Sequence, residues 1–309
     1  MLLLATDLDG TFLAGEDRER LSLYNLFRSM HDMQLIFVTG RGVESVIPLL
    51  NDAIIPNPDY LICDVGATIL NGRTLEAIQP LQSQIEREWP GHLVFTEALK
   101  NVEGIRFQEA PQERRCSFFY DQGANLDPVY EVAEKYGCDV LVSAGKYVDI
   151  LPGGVNKGST LKKLIRLINY PEKNVLVAGD TLNDLSLFKT GYKGVVVGGA
   201  EKSLVEQTRE EPHVYQARNL GTGGIVESFD HFPEFRDYKP PLEEQVNRAA
   251  TGLTQLLMVY HRLPYELTEE NGEMKRVQVK SPNGIIPSLL GFFASGRAGS
   301  WIAWEESNQ

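Results

Sequence analysis

The sequence predicts an α/β protein: a Rossmann-like parallel sheet interrupted by an inserted α+β module, followed by a short, incomplete C-terminal α/β segment. Three observations predict this. Short unbroken apolar runs alternate with helix-length amphipathic stretches. That alternation stops near Pro80 and resumes near Asn174. A stretch combining prolines with charges and aromatics, His231 to Pro241, then ends it.

The elements follow in order. Leu2 to Thr6, Leu35 to Val38 and Tyr60 to Cys63 read as strands, because parallel strands buried on both faces appear as continuous apolar runs. Arg18 to His31 and Val43 to Asn51 read as the intervening helices. The pattern returns with a strand at Asn174 to Ala178, a helix around Leu182 to Lys189, a strand at Gly194 to Val197 and a helix near Lys202 to Gln207. Residues 1–79 and 153–236 therefore form the core, and residues 80–152 the inserted module. Within the module, Gly104 to Gln108 and Cys116 to Tyr120 alternate like half-buried strands around a helical stretch at Asp127 to Tyr136. Residues 237–309 hold the linker, a helix candidate at Leu242 to Thr251, an apolar strand at Gln255 to Tyr260 and a Gly/Pro-bearing segment up to Trp304.

Composition narrows the function. The 309 residues carry 30 Lys and Arg against 42 Asp and Glu, a net charge of −12, which leaves no broad cationic face for nucleic acid. Three cysteines, Cys63, Cys116 and Cys138, show neither CxxC nor Cys/His spacing, so neither a disulfide framework nor a zinc site is expected. No run of about 18 apolar residues occurs, and the N-terminal apolar stretch turns acidic at Asp7. The expectation is a cytoplasmic protein with no nucleic-acid or membrane partner.

Chemistry concentrates at the ends of the expected strands. Asp7-Leu8-Asp9-Gly10-Thr11 follows the first strand and puts two carboxylates in the crevice where open α/β sheets bind ligands. One can attack phosphorus; the other can protonate a leaving oxygen and later deprotonate water. Thr39-Gly40-Arg41 follows the second strand and offers a hydroxyl and free backbone N–H groups. Lys157 opens a helix after Leu151 to Asn156, where an ammonium can hold a phosphate. Gly179-Asp180-Thr181-Leu182-Asn183-Asp184 adds two carboxylates and an amide. Oxygen ligands converging with one cation suit Mg²⁺.

Other candidates have plainer readings. The five histidines show no ligand spacing, and Cys63 reads as a packed small hydrophobe. Gly221 to Gly224 reads as the turn into the last core helix in preference to a phosphate cradle. Arg114 and Arg115 read as solvated surface in preference to contacts with an anionic substrate.

The ordered set DLDGT, T-G-R, Lys and GDTLND resembles the four motifs of the haloacid dehalogenase superfamily of phosphohydrolases, over roughly residues 1–230. The insertion between the second and third motifs resembles the α+β cap of the branch that includes sucrose-phosphate phosphatases. The resemblance implies a catalytic pair, Asp7 as nucleophile and Asp9 as general acid/base. It implies Mg²⁺ ligation by Asp7, the Asp9 carbonyl and Asp180, with Asp184 direct or through water. It implies phosphate binding by Thr39, Gly40, Lys157 and Asn183.

The tail carries a second resemblance. Tyr260 to Tyr265, Ser281 to Pro287 and Trp301 to Glu305 are similar to the opening of retaining sugar-nucleotide glycosyltransferases of the trehalose-phosphate synthase group, with wording closer to glucosylglycerol-phosphate synthases. The second, nucleotide-binding half of such an enzyme is not within these residues, so no synthase site is expected here. A phosphatase preceding a synthase would remove phosphate from its product. The resemblances together imply an Mg²⁺-dependent phosphatase acting on glucosylglycerol phosphate, with sucrose, trehalose or mannosylglycerate phosphate as alternatives. A non-catalytic sugar-phosphate-binding or synthase-docking module is the remaining alternative. The expected partners are a small-molecule sugar phosphate and an association either through the C-terminal segment or with a glycosyltransferase.

Overall fold

The computed structural model describes residues 1–87, 89–109, 113–143 and 145–239, and beyond them the strand residues 256–259, 265–270, 273–278 and 299–302. The chain divides into two units, residues 1–240 and 241–309.

In the first unit, β1 (Leu2–Thr6), α1 (Asp17–Ser29), β2 (Met33–Val38), α2 (Val43–Leu50), β3 (Tyr60–Cys63) and β4 (Thr68–Asn71) lead into α3 (Leu81–Arg87). The inserted module contributes α4 (His92–Leu99), β5 (Ile105–Phe107), β6 (Cys116–Tyr120), α5 (Asp127–Lys135), β7 (Cys138–Ser143) and β8 (Tyr147–Pro152). The core then resumes with α6 (Lys157–Leu167), β9 (Val175–Gly179), α7 (Leu185–Phe188), β10 (Lys193–Gly198), α8 (Lys202–Thr208), β11 (Val214–Leu220) and α9 (Gly221–His231).

The seven-stranded sheet has the order β11-β10-β9-β1-β2-β3-β4. All pairs are parallel except β3 with β4. Every residue of β1 and β9 is buried, as strands covered on both faces must be. One face packs Leu2, Leu4, Phe37 and Leu176 against Leu23, Tyr24, Ile225 and Phe229; the other packs Leu3, Ile36 and Val177 against Leu161, Leu164, Ile165 and Phe188. From β1 the chain moves outward to β2 and β3. It later returns to the opposite side of β1 to lay down β9 and β10. β1 thus sits at the reversal of strand order, and the crevice beyond its carboxyl end is the place where such sheets bind ligands.

The inserted module forms an antiparallel sheet, β5-β6-β8-β7, with a separate apolar core around Phe95, Leu99, Phe118, Val129, Val148 and Ile150. α3 packs Leu81 and Ile85 into the main core instead, and Gln82 Oε1 accepts from Ile69 N at 2.7 Å. The stretch expected as one helix around Leu182 to Lys189 is a tight turn at Leu182–Asp184 followed by the short α7. Asp184 ties down the start of this turn: its Oδ2 accepts from the backbone N–H groups of Asp180 and Thr181, each at 3.0 Å.

In the second unit, β12 (Leu256–Val259) pairs in parallel with β15 (Gly299–Ile302), and β13 (Tyr265–Glu270) with β14 (Glu273–Gln278) as an antiparallel hairpin. β12 falls within the apolar stretch expected as a strand. The helix candidate at Leu242 to Thr251 lies outside the described residues, as do 260–264, 281–287 and 303–305 of the tail motifs. Among the described residues, no helix is long and apolar enough to cross a membrane.

Candidate active site

Three adjacent strand ends and one helix start build the site. Asp7 directly follows β1, Thr39 follows β2 and Asp180 follows β9, while Lys157 is the first residue of α6. The α6 start is fixed by a capping box: Asn156 Oδ1 accepts from Ser159 N at 2.8 Å, and Ser159 Oγ accepts from Asn156 N at 3.0 Å. Gly10 permits the close approach of the two acidic loops. It has φ +78°, and a Cβ there would lie 2.0 Å from Asp180 Oδ2.

At the centre is a fully buried ammonium. Lys157 Nζ donates to Asp7 Oδ1 at 2.6 Å, to Asp184 Oδ1 at 2.6 Å and to Asn183 Oδ1 at 2.8 Å. These three bonds use the full donor capacity of the group. Burial alone would lower its pKa, but the carboxylates of Asp184 and Asp7 outweigh that and the net direction is upward. Asp180 stands beside them with Oδ1 accepting from Thr11 Oγ1 at 2.8 Å.

The candidate ligand atoms of Asp7, Asp180 and Asp184 lie within 4.8 Å of one another. Burial pushes Asp7 up to about 8 against the pull of Lys157, with Asp184 and Asp180 adding to the rise. Burial and then Asp184 push Asp180 up to about 6, partly opposed by the Thr11 hydrogen bond. Three acids facing one ammonium leave the cluster short of positive charge. An all-oxygen donor set with that deficit fits a hard divalent cation. Asp184 has both oxygens engaged, Oδ1 by Lys157 and Oδ2 by the backbone. Among the described residues, Asp7 Oδ2 and Asp180 Oδ2 make no hydrogen bond.

The remaining expected residues are placed differently. Asp9 lies outside the acid cluster, toward the cleft, where Arg41 Nε donates to its Oδ2 at 2.7 Å and Arg41 Nη2 to its Oδ1 at 2.5 Å. Thr39 is buried, with Oγ1 accepting from Arg41 N at 3.1 Å. Gly40 and Asn183 line the cleft. Asn183 Oδ1 is taken by Lys157 and by Thr181 Oγ1 at 2.9 Å, which leaves its Nδ2 as the donor for an incoming oxygen.

The cleft measures about 370 Å³ and runs from Asp7, Asp9 and Asn183 to Gln108, Arg115, Ser143, Tyr147 and Asp149 of the inserted module. Arg115 corrects the expectation of solvated surface. It is 8% exposed, its Nε lies 3.1 Å from Asp64 Oδ1 in the core, and its Nη1 donates to Asp149 Oδ1 at 3.2 Å in β8. Charge drives this burial, since two buried carboxylates need a counter-ion. Arg114 instead pairs with Glu86 at 2.8 Å and Glu113 at 3.3 Å. Asp64 went unnoticed in the sequence, although it follows β3 as Asp7 follows β1. The Gly221 to Gly224 stretch opens α9, and a Cβ on Gly223 would lie 2.2 Å from Glu19 Oε2, so an acid already occupies that helix start. The three cysteines are buried free thiols.

This sheet and inserted module have the haloacid dehalogenase fold, whose sucrose-phosphatase members are phosphatases, that is, phosphoric monoester hydrolases. Residues 1–233 match the sucrose-6F-phosphate phosphohydrolase family, and the chain belongs to it. Along its whole length the chain is 47% identical to a glucosylglycerol-phosphate synthase of Pseudomonas anguilliseptica, of which it spans 41%. It is 28% identical to sucrose-phosphatase 1 of Nicotiana tabacum, over 75% of this chain and 59% of that one. The sucrose-phosphatase of Synechocystis sp. PCC6803, solved with sucrose and phosphate, superimposes with a TM-score of 0.67 at 26% identity, covering 75% of this chain and 98% of that one.

Proposed function

We propose that this chain is an Mg²⁺-dependent phosphatase that converts glucosylglycerol phosphate to glucosylglycerol through a phosphoryl group carried on Asp7. The observation that carries the chemistry is the buried Lys157 ammonium held between Asp7 and Asp184, with Asp180 alongside.

Asp7, Asp180 and the Asp9 carbonyl would hold Mg²⁺, with Asp184 direct or through water. Bound there, the ion supplies the positive charge that lets an anionic phosphate approach an anionic nucleophile. Lys157 keeps Asp7 Oδ1 oriented and offsets its charge. Asn183 Nδ2, the Gly40 backbone and Thr39 receive the phosphoryl oxygens. Asp7 attacks phosphorus; Asp9 gives its proton to the leaving sugar oxygen and then takes one from the water that frees Asp7. The positioned charges, more than covalent chemistry by the protein, carry the rate.

The substrate assignment rests on the relative that is 47% identical over this chain, whose name states the synthesis of glucosylglycerol phosphate. The far end of the cleft agrees with a neutral polyol: Arg115 is already balanced by Asp64 and Asp149, while Gln108, Ser143, Tyr147 and Asp149 offer groups that bond hydroxyls. In this reading the partner is a glycosyltransferase that makes the phosphorylated glycoside, and both work in the cytoplasm on an osmolyte.

Phosphate release across glucosylglycerol, sucrose, trehalose and mannosylglycerate phosphates tests the assignment. The expected result is a kcat/KM for glucosylglycerol phosphate at least about tenfold above the others, the size of discrimination a few cleft contacts supply. A higher value for any other member reassigns the substrate, and binding without turnover of any member rejects the enzyme reading.

A further inference from the structure

We infer that Asp149 determines specificity by selecting phosphate esters whose alcohol part presents a hydroxyl donor to its Oδ2, an inference that rests on the phosphatase reading and deepens it. Asp149 lies in β8, an inner strand of the module's sheet. Side chains alternate along this strand: Val148 and Ile150 enter the module's apolar core, while Tyr147 and Asp149 take the opposite face and line the cleft. Aspartate is a poor strand residue, and a buried carboxylate costs free energy unless it is paired.

This carboxylate is held by one oxygen only. Its Oδ1 accepts from Arg115 Nη1 at 3.2 Å and from the hydroxyl of Ser117, which lies directly across the sheet in β6. Oδ2 makes no hydrogen bond among the described residues, although the side chain is only 8% exposed. Unlike Asp64 Oδ1, it is not shut off from solvent, and the space this side chain lines is the cleft.

Arg115 does not require this second acid. Its Nε lies 3.1 Å from Asp64 Oδ1, and one carboxylate balances one guanidinium. Asp149 therefore brings a surplus negative charge to the cleft wall, which a charge-assisted hydrogen bond from a hydroxyl offsets. An ionised carboxylate accepts and cannot donate, so an ester with no hydroxyl there leaves Oδ2 desolvated and unpaired. The hydroxyls of Ser143 and Tyr147, which also line the cleft, can donate or accept and impose no such demand. Because Arg115 is held by Asp64 of the core and in turn holds Asp149, the acceptor is oriented before a ligand arrives.

The test compares the parent protein, D149N and D149S, with Mg²⁺ present, on two esters. One is whichever of the four glycoside phosphates gives the highest kcat/KM, expected to be glucosylglycerol phosphate. The other is p-nitrophenyl phosphate, whose alcohol part offers no hydroxyl. D149N keeps the side chain's shape, and Arg115 keeps the amide oxygen at the Oδ1 position, so an NH₂ donor replaces the Oδ2 acceptor. It leaves Arg115 paired one-to-one with Asp64. The ratio of kcat/KM for the glycoside ester over p-nitrophenyl phosphate should fall on the order of tenfold to hundredfold in D149N, the size of a lost charged hydrogen bond. D149S should lower it in the same direction, and it serves if D149N does not fold. Analogues of the glycoside ester with single hydroxyls replaced by fluorine, which cannot donate, locate the partner: one of them should lose as much in the parent and little further in D149N. An unchanged ratio in both variants, or fluorine losses that add in full to that of D149N, would overturn the inference while the phosphatase reading stands. So would a parent protein that hydrolyses p-nitrophenyl phosphate but no glycoside ester. A parent protein that hydrolyses neither rejects the phosphatase reading, and this inference with it.

Discussion

Lys157 Nζ lies 2.6 Å from Asp7 Oδ1 although 150 residues separate them in the chain, and neither side chain is more than 7% exposed. The ammonium therefore joins the first strand end to the helix that follows the inserted module. It places the core's two sequence blocks around one reacting centre. A lysine is buried here only because Asp7 and Asp184 share it, which makes the contact as much a feature of folding as of chemistry.

Replacing Lys157 with Met should cost about 3–5 kcal/mol of unfolding free energy in EDTA at alkaline pH, above the value of about 8 to which Asp7 is raised, because there it leaves two buried carboxylates without their counter-ion. Chemical denaturation of the parent and K157M measures this. A loss below about 1 kcal/mol, the range of exposed ion pairs, would show that the ammonium does not hold the fold together.

Stability without metal should fall as pH rises. Asp7 is raised from 3.8 to about 8 and Asp180 to about 6, so between about pH 4 and pH 8 the folded protein holds protons that the unfolded chain has released. Their contribution is present at the acid end of that window and lost toward the alkaline end. Lys157, raised above its ordinary value, contributes no slope there. Urea melts in EDTA across this range should show the decline, and D7N should flatten it. A parent protein that gains stability relative to D7N as pH rises would contradict the electrostatics.

Gly10→Ala should weaken divalent-cation binding by at least about tenfold and destabilise the fold by more than about 1 kcal/mol, since the new methyl meets Asp180 Oδ2 at 2.0 Å on a backbone with φ +78°. Calorimetric titration with Mg²⁺ and thermal unfolding check the two effects. Parent-like affinity would mean that the two acidic loops need not approach so closely.

Arg115 and Asp64 should be strongly coupled. R115M alone leaves Asp64 and Asp149 buried without compensation, whereas D64N/R115M removes one of the two charges at the same time. A double-mutant cycle on unfolding free energy should give about 1–3 kcal/mol of coupling, and additive losses would show that module and core are not joined through this pair.

The sheet was legible because parallel strands buried on both faces leave apolar runs with almost no polar interruption, as in Leu2–Thr6 and Val175–Gly179. β11 was not, because its exposed edge carries Gln216, Arg218 and Asn219 among the apolar residues. β4 was hidden because only Ile69 and Leu70 of Thr68–Asn71 are apolar, too short a run to stand out. In the site, the motifs around Asp7, Lys157 and Asp180 announced themselves through strand-end position and residue type. Arg115 did not: its burial depends on Asp64 and Asp149, which lie 51 and 34 residues away in the chain, and no local pattern encodes such a meeting. Arg41 was visible as the third member of T-G-R, yet its grip on Asp9 exists only once the first two strand ends lie side by side.

Acid-quenched peptide mapping during turnover tests the central claim most directly. With Mg²⁺ and glucosylglycerol phosphate, the account predicts one phosphoryl group on the peptide containing Asp7, lost in EDTA and absent from D7N. Steady phosphate release in D7N, or a phosphoryl group found on any other residue, would contradict it.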